Sequence, residues 1–386
     1  MDMYRPSPYK GLQTLFAEDK KLSDKERLAF AYGPLLSWYR EHKRDLPWRE
    51  NKDAYRIWIS EIMLQQTRVE AVKPYFFRFM EHFPTVEALA LAPDDELMKC
   101  WEGLGYYSRA RNLKKAAGVI VEQYGGKLPA SREALLELPG IGSYTAGAIA
   151  SIAYEIPAPA VDGNVLRVLS RVCGSRDDIL KQSTKKKMEQ LVSEVIQEGE
   201  AGDFNQALIE IGAIVCIPNG APLCDSCPFY TVCAARAEEL TGEIPVKTPK
   251  KKRKIEEKTV LILQYGEKIA IRKRGAEGLL ASLYEFISIP GKQSEEELAE
   301  YFDEPVVPEK LPDAKHIFSH VEWHMNGYRI PVTEIPKRLA GEQPEDFILA
   351  EFEELKERYP IPNAFAAYKD FLEQQFGERT DTSIEK

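Results

Sequence analysis

Between residues 35 and 235 the apolar positions recur at spacings of three and four, the period of amphipathic helices, with breaks predicted at Pro74, Pro84, Pro93, Pro129, Pro139 and Pro157. A bundle of many short helices is expected there. One, over 57–64, is apolar except for Ser60 and Glu61. Ser131 caps another, which stops at Leu138-Pro139-Gly140-Ile141-Gly142 before a helix of small residues over 143–154, and Val161-Asp162-Gly163-Asn164 opens a helix over 165–172. The pattern changes after Lys247-Thr248-Pro249-Lys250-Lys251-Lys252-Arg253-Lys254, whose six basic residues read as a linker, either simply solvated or also touching phosphates. Beyond it, 260–263, a turn at Gly266 and 268–272 read as a β-hairpin. A second alternating run over 316–325 puts Ile317, Ser319, Val321 and Trp323 on one face and His316, Phe318, His320 and His324 on the other. After Pro360 and Pro362 a helix is expected over 363–376. The expected organisation is an all-α domain over 22–235, a basic linker over 236–255 and an α+β domain over 256–376.

A length of 386 residues agrees with two domains, and 44% hydrophobic with 29% charged residues describes an ordinary globular composition. No apolar run approaches the roughly 20 residues a membrane helix needs, and the first 21 residues mix in Asp2, Lys10, Glu18 and Asp19 instead of forming a signal-peptide core. A cytoplasmic protein with no membrane partner is expected. The net charge of −9 argues against non-specific nucleic-acid binding but leaves room for a local basic groove.

Of six cysteines, four crowd into 216–233 as Cys216-x7-Cys224-x2-Cys227-x5-Cys233, enough soft thiolates for a metal ion or an iron-sulfur cluster. One tight pair flanked by two lone cysteines suits a small loop wrapped around a cofactor larger than an ion, which favours 4Fe-4S. At the Gly140-Ile141-Gly142 turn, free backbone N–H groups could meet a DNA phosphate, or the turn could serve packing alone. Asp162 could be a plain helix cap or a carboxylate kept ionised by the helix terminus.

Taken together, these residues resemble the helix-hairpin-helix, Gly/Pro-Asp DNA glycosylases, and within them the adenine DNA glycosylases of the MutY type. The resemblance runs from about residue 35 to at least His324 through Leu46-Pro47-Trp48-Arg49, Ser60-Glu61-Ile62-Met63-Leu64-Gln65-Gln66-Thr67, Gly103-Leu104-Gly105-Tyr106-Tyr107, the hairpin, Val161-Asp162-Gly163-Asn164, the cysteine loop and Phe318-Ser319-His320. The first cysteine gap is one residue longer than is usual in that family. The resemblance implies a 4Fe-4S cluster on Cys216, Cys224, Cys227 and Cys233. It also implies that Glu61 protonates the leaving adenine at N7 and that Asp162 stabilises or captures the sugar cation, with Asn164 orienting water or the carboxylates. Two carboxylates with opposite pKa shifts would divide this labour, Glu61 raised by burial in its apolar helix and Asp162 kept ionised at a helix N-terminus. Tyr144 stands where strand-cleaving relatives carry lysine, and a phenol cannot form a Schiff base, so a monofunctional enzyme is implied. By the same resemblance Leu46, Trp48, Arg49 and Gln206 contact the flipped adenine. Gln66, Thr67, Leu104, Gly105 and Tyr106 surround the opposite base, and Gly140 and Gly142 meet the backbone.

The second domain resembles the Nudix fold that this family appends, but after Gly278 the sequence Leu-Leu-Ala-Ser-Leu-Tyr-Glu-Phe-Ile lacks the glutamates and Arg-Glu pair of a hydrolase box. Recognition of 8-oxoguanine without hydrolysis is expected, with Ser319 between Phe318 and His320 as its reader. Three nearby histidines lack a fourth ligand at fixed spacing and are not read as a zinc site. The resulting expectation is a bacterial, cytoplasmic and nucleoid-associated monomer acting on duplex DNA with an adenine opposite 8-oxoguanine or guanine. A sliding clamp or a mismatch-repair protein is a candidate further partner. Two rivals stand beside it: a glycosylase/lyase for oxidised pyrimidines, which Tyr144 disfavours, and a non-enzymatic iron-sulfur DNA-binding or redox module.

Overall fold

Short helices follow from the local sequence as the periodicity predicts, several of them started by a side-chain cap. Asp53 accepts from the Arg56 amide and starts Ala54–Met63, Ser131 starts Arg132–Leu136, and Asp162 starts Gly163–Cys173. Glu155 and Gly174 end their helices in the left-handed conformation. The computed structural model describes residues 22–249, 252–340 and 347–380. The stretch 1–21, read above for a signal segment, and Lys250 and Lys251 of the basic run lie outside the described residues. These residues divide into two compact units, one within Met1–Leu91 and Arg111–Pro249, the other within Ala92–Ala110 and Lys250–Lys386.

In the first unit Ala201–Ile214 packs against Tyr32–His42, Ser143–Tyr154 and Gly163–Cys173, and Ala54–Met63 packs against Ser143–Tyr154. Leu35, Tyr39, Val165, Leu169, Phe204, Leu208, Ile211 and Phe229 form the core between them. The small residues of Ser143–Tyr154 serve close approach. A Cβ on Gly147 would stand 1.9 Å from the Pro159 carbonyl oxygen. Gly147→Ala is therefore expected to cost about 3 kcal/mol, because the obstacle is backbone, and to lower the thermal midpoint by several degrees. A melting curve that overlays the parent would show that the 158–160 segment yields freely.

One expected break is absent. Pro74 lies inside Val69–His82, on the exposed face, so the carbonyl it leaves unpaired meets water instead of core.

The second unit is built on a six-stranded sheet: β1 (Lys254–Tyr265), β2 (Lys268–Lys273), β3 (Tyr284–Pro290), β4 (Glu309–Ile317), β5 (Val321–Pro331) and β6 (Phe347–Glu351), in the order β4-β5-β1-β3-β2-β6. β1 and β2 form the expected hairpin, and β1 runs parallel to β5 from Lys254 opposite Val321 to Gln264 opposite Pro331. Both faces of β1 are covered. Val260 and Ile262 meet Trp323, Phe365, Tyr368 and Leu372, while Leu261 and Leu263 meet Ile287, Tyr328 and Leu298. The C-terminal helix runs Ala366–Thr380 after a turn at Asn363–Phe365.

Three expectations need correction here. The run 316–325 is two strands, because the chain reverses over 318–320, where the Phe318 amide donates to the Val321 carbonyl at 2.9 Å. Val321, Trp323 and Met325 are buried while Ser319 and His320 stay exposed, so the loop escapes the alternation of the strands. The linker is also shorter than 236–255. Ile244 is buried, its carbonyl accepts from Arg171 Nε at 2.7 Å, and β1 already begins at Lys254.

Finally, residues 92–110 group with the α+β unit rather than with the helices around them in sequence. Asp95 accepts from Lys273 Nζ at 2.7 Å and from the Tyr284 hydroxyl at 2.9 Å, and Glu102 accepts from Lys369 Nζ at 2.7 Å. Lys99 bonds Glu102 and the Leu355 and Tyr359 carbonyls.

Candidate active site

The chemistry-bearing residues of the first unit converge on one cavity of about 450 Å³. Glu61 reaches it from the middle of Ala54–Met63, Tyr144 from the first turn of Ser143–Tyr154, and Asp162 with Asn164 from the head of Gly163–Cys173. Leu46, Trp48, Arg49, Gln66, Thr67 and Gln206 line it too. Most of the expected site is thus brought together, from segments as far apart as residues 46 and 206.

Glu61 is buried among apolar neighbours, and burial pushes its carboxyl up to about 7. The Tyr144 hydroxyl donates to its Oε2 at 2.5 Å, which pulls the other way. The Asp162 charge adds to the rise and Arg49 opposes it. Burial together with the two carboxylates pushes the Tyr144 phenol well above its ordinary range, so it stays a donor. Tyr144 is therefore more than core packing.

Asp162 corrects an expectation. Its Oδ1 accepts from the Val165 amide at 2.7 Å and its Oδ2 from Asn164 Nδ2 at 2.9 Å, so it caps the helix and faces the cavity at once. Burial nevertheless raises its carboxyl, outweighing those donors and Arg167, so Glu61 and Asp162 shift in the same direction rather than in opposite ones, and the helix terminus alone does not set the charge of Asp162. Asn164 passes the connection on, its Oδ1 accepting from Arg167 Nη2 at 2.9 Å.

Several further residues line the cavity without having been assigned a role from the sequence, among them Arg44, Ser60, Gln65 and Ile209. Behind the wall lies another omission, Glu210, fully buried and bonded by Arg44 and Arg49. Its only signal was a lone carboxylate in the apolar run 207–214, the same signal that singled out Glu61.

The residues expected around the opposite base divide between the units. Gln66, with φ of 59°, and Thr67 belong to the cavity. In the second unit, Gly105 and Tyr106 take φ of 70° and 47°, Leu104 is buried beside them, and the half-exposed Tyr106 ring presents its hydroxyl to Ser319 Oγ at 3.2 Å. Phe318 packs edge-on against Trp323 beneath that loop, and His320 is exposed. Gly140 keeps the hairpin turn tight: its φ is 79° and a Cβ there would stand 2.7 Å from Asn112 Cβ. Gly142 precedes the first turn of Ser143–Tyr154, where amides are free of intrahelical partners.

Cys216, Cys224, Cys227 and Cys233 line a second pocket with Val168, Val172, Val215 and Phe229. Burial pushes the Cys227 thiol well above its ordinary range and Cys233 to about 11, and the sulfurs' mutual charge adds to this. Arg171 Nη1 approaches Cys216 Sγ at 3.2 Å. Four thiols of soft donor chemistry around one apolar pocket, with a cation beside them, fit an anionic iron-sulfur group. The Leu223 amide donates to the Val215 carbonyl at 2.9 Å and closes the longer first gap before Cys224.

In the second unit, 279–283 form turns instead of a helix, and Glu285 is buried between Arg272 and Arg274. Among the described residues no helix is long and apolar enough to cross a membrane.

Comparison with known proteins agrees with this layout. Residues 59–197 match the HhH-GPD superfamily of base excision DNA repair proteins, and 259–370 match a NUDIX domain. The rat adenine DNA glycosylase is 45% identical over 54% of this chain, an alignment that spans 42% of the rat protein's length. A solved structure of a thermostable thymine-DNA glycosylase is 32% identical with a TM-score of 0.50, covering 56% of this chain and 98% of that one. The human adenine DNA glycosylase is 35% identical over 79% of this chain and 68% of its own length, and on that extent of agreement the chain belongs to the adenine DNA glycosylase family.

Proposed function

We propose that this chain is a monofunctional enzyme that hydrolyses the N-glycosidic bond of adenine mispaired with 8-oxoguanine or guanine, the first step of base-excision repair. The observation that carries this is the short Tyr144–Glu61 bond in a cavity that also holds Asp162. Leaving adenine is a poor leaving group until protonated, and the sugar left behind becomes cationic at C1′. Glu61, raised to about 7, is a carboxylic acid able to give its proton to adenine N7 at neutral pH. Asp162 places negative charge beneath the sugar, held by the Val165 amide and Asn164. Water adds to C1′, and the proton it loses restores Glu61. Leu46, Trp48, Arg49 and Gln206 form the pocket for the extruded base, which must leave the duplex before reaching these groups.

Gly140 and Gly142 offer backbone amides to the DNA phosphates. Gln66 and Thr67 of the first unit contact DNA around the opposite base, and Leu104, Gly105 and Tyr106 of the second unit are assigned the same kind of contact. Ser319, bonded to Tyr106 and flanked by Phe318 and His320, reads 8-oxoguanine. The Nudix-like unit binds without hydrolysing, in keeping with Glu285 being engaged by two arginines. Cys216, Cys224, Cys227 and Cys233 would hold a 4Fe-4S cluster, which when bound would cross-link the loop 216–233 through its thiolates.

The test is incubation with a duplex carrying one adenine opposite 8-oxoguanine, with strand breakage compared before and after hot alkali. Breakage only after alkali is expected, since Tyr144 supplies no amine for strand cleavage. Breakage without alkali would mean a lyase, and tight binding without adenine release would favour the iron-sulfur binding module.

A further inference from the structure

We infer that Glu210 is a positioning residue for this site: ion-paired to Arg49 behind the cavity wall, it holds that guanidinium in place and offsets its charge where it faces Glu61. The inference rests on the base-release reading above.

Glu210 is 0% exposed and sits on Ala201–Ile214 among the buried residues Ala207, Leu208, Ile211 and Gly212. Its Oε1 accepts from the Arg44 amide at 3.0 Å and Arg44 Nε at 2.7 Å. Its Oε2 accepts from Arg44 Nη2 at 3.1 Å and Arg49 Nη2 at 2.8 Å. Arg49 Nη1 in turn donates to the Arg44 carbonyl at 3.1 Å, so the three side chains form one rigid clamp. Those pairings hold the Glu210 carboxyl down at about 2, against burial that would raise it.

An apolar side chain at this position would pack against the same helices without the desolvation penalty of a buried ion, so stability alone does not call for a carboxylate. The cavity supplies another reason. Both arginines line it and Glu210 does not.

The charged and titratable groups facing Glu61 are Tyr144 from Ser143–Tyr154, Asp162 from the head of Gly163–Cys173, and Arg49 from the turn Pro47–Arg49, with Arg44 in the wall nearby. Arg49 is the cation that draws Glu61 toward its ionised, catalytically incompetent form. Paired with Glu210 it presents half of a neutral couple. Unpaired, its full charge would act across a site poorly screened by water.

The test is the pH profile of single-turnover adenine release by the full-length protein and its Glu210→Gln, Glu210→Asp and Arg44→Gln variants. In Glu210→Gln the alkaline midpoint is expected to move about one unit toward acid, the scale of one added charge at an effective dielectric near 20. Glu210→Asp should return it toward the parent value. Arg44→Gln should move it the other way, because Glu210 then serves Arg49 alone. A merely structural role would lower the rate by one factor at every pH, and that result, or equal shifts in Glu210→Gln and Arg44→Gln, overturns the inference. If Glu210→Gln does not fold, the direction of the Arg44→Gln shift decides. If the parent protein releases no adenine, the base-release reading fails. The inference is then judged by infrared titration of the Glu61 carboxyl, assigned by subtracting Glu61→Gln, and an equal midpoint in the parent and Glu210→Asp proteins but a lower one in Glu210→Gln upholds it. An unchanged midpoint in Glu210→Gln ends it.

Discussion

Glu61→Gln is expected to slow adenine release by about 10³-fold, within the range that loss of a positioned general acid produces, while leaving affinity for the mispaired duplex intact. The amide keeps the size of the side chain and can still accept from the Tyr144 hydroxyl, so the fold of Ala54–Met63 is not at issue. What disappears is the transferable proton. In the parent protein the rate should be level below neutrality and fall as pH rises through about 7, because burial sets the Glu61 carboxyl there and only its protonated form can donate. Stopped single-turnover release across that range checks both points. A Gln variant that retains turnover would remove Glu61 from the mechanism, and one that loses duplex binding as well would return it to a structural role.

The second large effect is expected from Asp162→Asn, with adenine release falling by about 10²–10³-fold, the usual consequence of removing one electrostatic partner of a developing charge. This substitution separates the two roles of the residue. Asparagine caps helices about as well as aspartate, so the bond to the Val165 amide survives and stability should change little. Only the negative charge opposite the sugar is lost. Near-parental rates would mean that Asp162 is a cap and nothing more, whereas a fall in thermal midpoint equal to that of Asp162→Ala would show that asparagine does not preserve the cap.

Much of the fold is legible along the chain, because the interactions that set it are local. Caps such as Ser131, Asp53 and Asp162, the positive-φ Gly140 of the hairpin turn, and the close cysteine spacing are set by interactions within a few residues. The same holds for the β1–β2 hairpin, whose turn and alternation lie in one short stretch. Glu61 was legible as a raised acid because its burial is a property of its own apolar helix.

Features that depend on which distant surfaces meet emerge from long-range packing instead. Pro74 continues its helix since that side faces water, and the 318–320 loop turns back because β4 and β5 pair with each other. Residues 92–110 join the α+β unit through Asp95 and Glu102, ion-paired with Lys273 and Lys369, and through Lys99, which donates to the Leu355 and Tyr359 carbonyls, all partners more than 170 positions away. The direction of the Asp162 shift likewise follows from burial supplied by other elements, which a helix terminus does not reveal. Glu210 gives the sharpest contrast with Glu61: both are lone carboxylates in apolar helices, yet one is a raised acid and the other is held near 2. Long-range charge pairing separates them, since Arg44 and Arg49 reach Glu210 from more than 160 residues away and no local pattern encodes that meeting.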